Sequence, residues 1–197
     1  MELKESLRRM LCLTDEDILD CLCREASLRR VDRRESIYKR GEIPEETGLL
    51  LSGVVATQLP DIEGRVVIDC IMDEPGTPLL PPSGFVAPSC QTAIALMPSV
   101  VAMWPTERLA GLMGESPALM RSVFMLAMAA IRANWEKERA LSQPSAQKRY
   151  AWFVERHPDF PVRGMNKYIA AYLRMSPETV SRIRSSQRQR QTEGEKK

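Results

Sequence analysis

One histidine, His157, occurs in the 197 residues. A multi-histidine metal site is therefore excluded, and a histidine-based catalytic triad would have a single candidate. His157 precedes Pro158 and reads as a loop residue at the end of a helix. There is no apolar run of the roughly 20 residues that a membrane-spanning helix requires. No secretory signal pattern is evident, so a cytoplasmic protein with no membrane partner is expected. The five cysteines, Cys12, Cys21, Cys23, Cys70 and Cys90, then read as reduced thiols. Two further absences are local. No lysine or arginine lies between Val66 and Glu107, and no hydrophobic residue follows Ile183. Nothing in the chain supports an enzyme.

What is present is a globular composition and a length sufficient to bury a core. The net charge is only +2, but it is unevenly placed: Val162 to Lys197 holds nine Lys/Arg against three Asp/Glu. A neutral-to-acidic body with a basic C-terminal quarter suits a sensor joined to a nucleic-acid reader.

The basic quarter contains the stretch that organises the reading, Met165 to Arg184. It predicts two short helices around a tight turn. Ile169, Ala170 and Leu173 share one face of the first helix, and Val180 and Ile183 supply the facing apolar pair on the second. Small Ala170 lets the two helices cross closely opposite Val180. Ser176 is a strong N-cap residue, and Pro177 at the first helical position has a suitable fixed φ and a missing N–H that costs nothing there. Glu178, Thr179, Ser181, Arg182 and Arg184 face outward, residue types that pair with base edges and phosphates.

The string Ser176-Pro177-Glu178-Thr179-Val180-Ser181-Arg182 closely resembles the recognition helix of the Crp/Fnr family of bacterial transcription regulators. The resemblance extends, more weakly, to Tyr38-Lys39-Arg40-Gly41-Glu42 and to Gly48 through Val55, which look like the opening of that family's sensor domain. It implies an α+β protein: an N-terminal cyclic-nucleotide-binding-like β-roll (jelly roll), a long dimerisation helix and a C-terminal helix-turn-helix domain. The implied boundaries are 1–113 for the roll with its N-terminal helix, 114–143 for the long helix, and 144–197 for the reader with a polar tail. Because nothing apolar follows Ile183, the tail resembles the wingless subset. By match to the motif, Pro177, Glu178 and Arg182 stand at base-contacting positions. Glu178 would accept from a cytosine amino group and Arg182 would donate to guanine O6 and N7, each good bidentate pair contributing about 1–3 kcal/mol of discrimination. Lys167, Arg174, Ser176, Thr179, Ser181 and Arg184 are cast as phosphate contacts, which set register without reading sequence. Arg174 stands where the family typically has glycine in a left-handed turn, so a strained or remodelled turn is expected.

Along the rest of the chain, residues 1–30 read as helical, with Thr14-Asp15-Glu16-Asp17 as a capping signal and Ile18, Leu19, Leu22 and Ala26 as an apolar face. Arg29, Arg30, Arg33 and Arg34 read as a solvated linker. From Ser36 to Trp104, short β-branched and apolar runs between turn signals predict strands: 36–39, 48–57 broken at Ser52-Gly53, 65–72, 91–96 and 99–104. Ser116-Pro117 starts a helix that Pro144 stops, a span of 28 residues, about 42 Å long. Met120, Phe124, Ala127, Ile131, Asn134, Glu138 and Leu141 follow the 4,3,4,3 spacing of a coiled-coil seam, with Leu119, Val123 and Trp135 widening the stripe toward the roll. A homodimer is expected, since a helix-turn-helix reader normally binds as a symmetric pair. Residues 145–156 predict one more amphipathic helix.

The sensor departs from the family. Its ligand grip implies a Gly-Glu pair for the ribose and an arginine for the cyclic phosphate, yet the corresponding stretch, Glu74 to Cys90, has no cation and five prolines. Cyclic nucleotides are therefore not expected to bind in the family manner. An unknown small-molecule effector is possible, with Leu79, Leu80, Phe85 and Ser89 as its candidate pocket. The spacing of Cys12, Cys21 and Cys23 does not match iron–sulfur ligand runs, so neither a metal nor a cofactor is expected. The function expected is sequence-specific regulation of transcription on double-stranded DNA. The alternative is a protein-interaction module that keeps the fold without specific DNA binding.

Overall fold

The computed structural model describes residues 3–81, 83–84, 86–160 and 164–194. Two helices open the chain, α1 (Leu3–Leu11) and α2 (Glu16–Glu25). The cap of α2 is Asp15, whose carboxylate accepts from the Ile18 N–H at 3.1 Å. Among the described residues eight strands follow: β1 (Ser27–Val31), β2 (Ser36–Tyr38), β3 (Glu46–Ser52), β4 (Val55–Pro60), β5 (Val66–Met72), β6 (Pro78–Leu79), β7 (Thr92–Ala95) and β8 (Ser99–Pro105). The helices α3 (Thr106–Glu115), α4 (Pro117–Leu141), α5 (Ala146–Arg156), α6 (Asn166–Tyr172) and α7 (Pro177–Gly194) complete the described order.

The strands form two four-stranded sheets, ordered β1-β8-β3-β6 and β2-β7-β4-β5, with antiparallel pairings such as Leu49↔Ala102 and Thr57↔Ala93. Side chains alternate across a strand, and the first sheet buries both faces. Leu50, Val101 and Met103 enter a core with Val31, Tyr38, Val55, Met72 and Leu79. Their neighbours Leu49, Ala102 and Trp104 enter a second core with Leu7, Leu19 and Leu22 of α1 and α2 and with Leu112 and Leu119. This explains the unbroken apolar run Leu49-Leu50-Leu51. The Trp104 indole N–H donates to the Leu22 carbonyl at 2.8 Å, fixing the end of α2 on β8. Full burial of each such leucine contributes about 1.5–3 kcal/mol. Gly48 is required where it stands, because a Cβ there would lie 2.0 Å from the Ala102 carbonyl oxygen.

Three sequence expectations are corrected. Residues 27–31 are strand β1, paired with β8 from Ser27↔Met103 to Val31↔Ser99, so the helix ends at Glu25 and Arg29 and Arg30 belong to a sheet edge. Helix α3 (TERLAGLMGE) and the two-residue β6 were not foreseen. Trp135 does not extend the inward stripe of Leu119 and Val123. It is 74% exposed, because at i+4 from Ile131 and i+7 from Met128 it falls on the outward face of α4.

The chain divides into two compact units, Met1–Leu59 with Asp69–Arg132, and Pro60–Ile68 with Ala133–Lys197. The second has an aromatic core. Phe153 meets Phe160 and Tyr172 edge-on, both at 5.5 Å, and Trp152 stacks parallel to Tyr172 at 6.4 Å. His157, the C-cap of α5, packs on the Phe153 ring at 4.9 Å. The expectation of a loop residue at a helix end is met, and burial among these rings is its role. Among the described residues no single helix is long and apolar enough to cross a membrane.

Candidate nucleic-acid interface

Helix α6 buries Tyr168, Ile169, Ala170 and Tyr172, followed by Leu173, while α7 buries Val180 and Ile183. These are the facing apolar positions expected from their spacing, and they hold the two helices in contact. Between them the backbone forms a C-terminal capping motif. The Met175 N–H donates to the Ala170 carbonyl at 2.9 Å, closing the six-to-one bond of a Schellman turn around Arg174 at φ +53. That position normally takes glycine. The turn is therefore not remodelled, and Arg174 adopts the left-handed conformation itself. Its guanidinium ion-pairs with Glu138, near the end of α4, at 2.9 Å.

The start of α7 is fixed as its sequence implies. Ser176 Oγ accepts from the Thr179 N–H at 3.2 Å and lies 3.1 Å from Thr179 Oγ1. Pro177 is the first helical residue. Arg182 Nη2 then donates to Thr179 Oγ1 at 3.4 Å. Ser176, Pro177, Glu178, Ser181, Arg182 and Ser185 are exposed. The last four share one helical face by their i, i+3, i+4, i+7 spacing, and Ser185, although legible from that spacing, was not singled out. Glu178 is held below the usual glutamate value of 4.5, first by its own backbone N–H at the helix N-terminus, then by the Ser176 hydroxyl, with Arg182 adding its charge. Its carboxylate is thus an ionised acceptor at neutral pH.

The expected phosphate contacts differ in how far they are engaged. Lys167 is exposed and lies over the Tyr168 ring at 4.8 Å. Thr179 is half-buried within the Ser176–Arg182 chain of hydrogen bonds. Arg184 is half-buried and donates to Asn166 Oδ1 at the start of α6. Asn166 and Glu138, the partners of two predicted DNA contacts, were not foreseen as such. Their separations of 18 and 36 residues leave no local pattern.

Helix α4 keeps a long apolar stripe in solvent. Met120 is 45% exposed, Phe124 59%, Met128 44% and Ile131 50%, with Ala127 half-buried and Asn134 exposed between them. Ser116 caps the helix by accepting from the Leu119 N–H at 3.2 Å, as expected.

The residues assigned to an effector pocket scatter. Leu79 is fully buried in the core between the sheets. Leu80 lines a separate cavity beside α4. Ser89 is buried and donates to the Gln91 carbonyl at 2.7 Å, and Phe85 lies outside the described residues. The core between the sheets is filled by apolar side chains around Tyr38. Burial, and then the nearby Cys70, Cys90 and Asp69, push the Tyr38 phenol well above its ordinary value.

No protein-family model and no curated protein matches the chain. Solved structures do. FixK2 from Bradyrhizobium japonicum matches with a TM-score of 0.71 and 21% identity, over 84% of this chain and 85% of its own. A protein from Eubacterium rectale classed as a transcriptional regulator of the Crp/Fnr family matches with a TM-score of 0.68 and 16% identity, over 86% and 81%. CLP from Xanthomonas campestris, a c-di-GMP-responsive global regulator, matches with a TM-score of 0.66 and 14% identity, over 91% and 93%. At such identities the likeness is one of fold. The chain has the α+β fold of Crp/Fnr regulators, a cyclic-nucleotide-binding-like roll followed by a helix-turn-helix.

Proposed function

We propose that the chain is a homodimeric, sequence-specific DNA-binding transcription regulator. The observation that carries this reading is the α7 surface. A proline-started, serine-capped helix buries Val180 and Ile183 and leaves Glu178, Ser181, Arg182 and Ser185 in solvent. Glu178 and Arg182 read base edges in the major groove, while Lys167, Arg174, Ser176, Ser181 and the helix N-terminus hold phosphates. Two such helices must sit about 34 Å apart to enter successive major grooves. The stripe Met120, Phe124, Ala127, Ile131 and Asn134 on α4 meets its counterpart in a second copy of the chain, burying side chains that one chain leaves exposed. Asn134 in that seam fixes register at some cost in stability.

Cyclic nucleotides do not bind in the family manner. A buried phosphate needs a cation or a nest of N–H groups. The stretch Val66–Glu107 has no lysine or arginine, and apolar side chains fill the core between the sheets. Selection from random duplex DNA tests the whole reading. A two-fold symmetric site whose affinity falls steeply between low and moderate salt is expected. Failure to enrich any sequence would favour a protein-interaction module on the same fold.

A further inference from the structure

The turn that leads into α7 holds a residue with a Cβ in the left-handed region. Arg174 has φ +53, and the Met175 N–H bonded to the Ala170 carbonyl at 2.9 Å keeps the turn closed around it. Its exposed side chain reaches back to α4, where Nη2 donates to Glu138 Oε1 at 2.9 Å. Both residues belong to the second unit. An ion pair this exposed returns less than the left-handed conformation costs. Stability of the chain alone therefore does not account for an arginine here, and backbone strain of this kind clusters where a protein works.

The surroundings show what the arginine can serve. Arg174 stands two residues before Ser176, the exposed cap of α7, and a helix N-terminus favours an anion. A guanidinium takes a carboxylate or a phosphate with the same fork of donors. In the free chain Glu138 thus occupies a donor that a backbone phosphate would take. Its carboxylate is not orphaned when Arg174 leaves. Lys137 Nζ lies 3.9 Å from the same Oε1, and Lys137 is buried, 3% exposed, with its ammonium 5.5 Å over the Tyr172 ring. One cation is fixed in place, and the other sits on an exposed side chain free to re-aim.

We propose that Glu138 is an internal competitor for Arg174: it holds the guanidinium in the free chain and yields it to a DNA backbone phosphate on binding. This rests on the reading of α7 as a DNA-binding helix and adds a regulatory element to it. The competition lowers affinity for every duplex by the worth of one exposed ion pair and leaves sequence preference alone. It also ties a phosphate contact to the last turns of α4, so that a shift of Glu138 relative to the turn changes DNA affinity.

The test is a double-mutant cycle on the full chain, with affinity measured at low salt for the selected site and for a duplex of arbitrary sequence. Glu138→Gln should raise affinity for both duplexes about two- to fivefold, the order of one exposed ion pair. Arg174→Ala should lower it for both, and adding Glu138→Gln to Arg174→Ala should restore nothing. A gain that persists in the Arg174→Ala background is general charge repulsion and overturns the proposal. So does a Glu138→Gln protein that binds less tightly than the parent, because Glu138 would then aim Arg174 at the phosphate. A second reading does not depend on a Glu138 variant folding. The side-chain carboxyl carbon-13 resonance of Glu138 should shift when duplex is added to the parent and stay in place in Arg174→Ala; a parent resonance that does not move overturns the proposal. A chain that gains affinity for arbitrary duplexes on Glu138→Gln yet selects no sequence refutes sequence-specific regulation and supports the competitor. One that selects a site but shows no gain supports the regulator and refutes the competitor.

Discussion

Arg174 is the residue whose replacement discriminates most sharply between the terms that shape the reader. It holds φ +53 in the turn between α6 and α7 and pairs with Glu138 through side chains that are 57% and 47% exposed. For a residue with a Cβ the left-handed conformation costs about 1–2 kcal/mol. An exposed ion pair returns about 0.2–1 kcal/mol. Arg174→Ala loses the pair and keeps the strained backbone. Arg174→Gly also loses the pair but removes the strain, at an entropic cost of about 0.5–1 kcal/mol. The glycine variant should therefore exceed the alanine variant by about 0.5–1 kcal/mol, while alanine falls slightly below the parent. Urea unfolding followed at the indole resonance of Trp152, which stacks on Tyr172, reads the second unit directly. Both variants should also weaken binding to every duplex alike and lower the salt slope by about one. A glycine variant no more stable than the alanine variant would refute the strain argument, whatever the DNA result.

Ser176→Ala removes the acceptor for the Thr179 N–H and should cost about 1 kcal/mol, measured in the same unfolding experiment. Arg182→Ala should relax preference at one base position, whereas Lys167→Ala weakens all sequences similarly. Repeating the DNA selection with each variant separates the two roles. Phe124→Glu should convert a dimer to a monomer in sedimentation velocity without lowering the chain's own stability, because Phe124 is 59% exposed. Glu25 is held below 4.5 chiefly by its hydrogen bonds from Arg108. A lowered carboxylate contributes stability that is complete above its unfolded value and is lost as pH falls through the lower folded value. Glu25→Gln should therefore flatten the acid limb of the first unit's stability, read from urea midpoints between neutral pH and pH values below 4.5.

The legible parts of the sequence were those in which one periodicity dominates. Val180 and Ile183 against Ile169, Ala170 and Leu173 needed only i, i+3 and i+4 spacing, and Ser-Pro pairs marked the starts of both α4 and α7. Strands β2 to β5, β7 and β8 were legible from apolar runs between turns. Strand β1 was not: Ser27–Val31 alternates poorly, leaves Leu28 58% exposed, and is a strand because β8 supplies its hydrogen-bond partners. Helix α3 carries Gly111 and Gly114 and has no side-chain cap, so local propensity gave no signal. The roles of Glu138 and Asn166 depend on residues distant in sequence. The exposure of Trp135, grouped from the sequence with Leu119 and Val123, was readable by counting from Ile131.

The central claim is that two copies of the chain present paired α7 helices to one face of a duplex. It is tested most directly by measuring the affinity of the full chain for its selected site before and after inserting about five base pairs, half a helical turn, between the half-sites. The account predicts that the insertion, which moves one half-site to the opposite side of the duplex, abolishes high-affinity binding while each half-site keeps its sequence. Unchanged affinity, or a selected site with no two-fold symmetry, would contradict it.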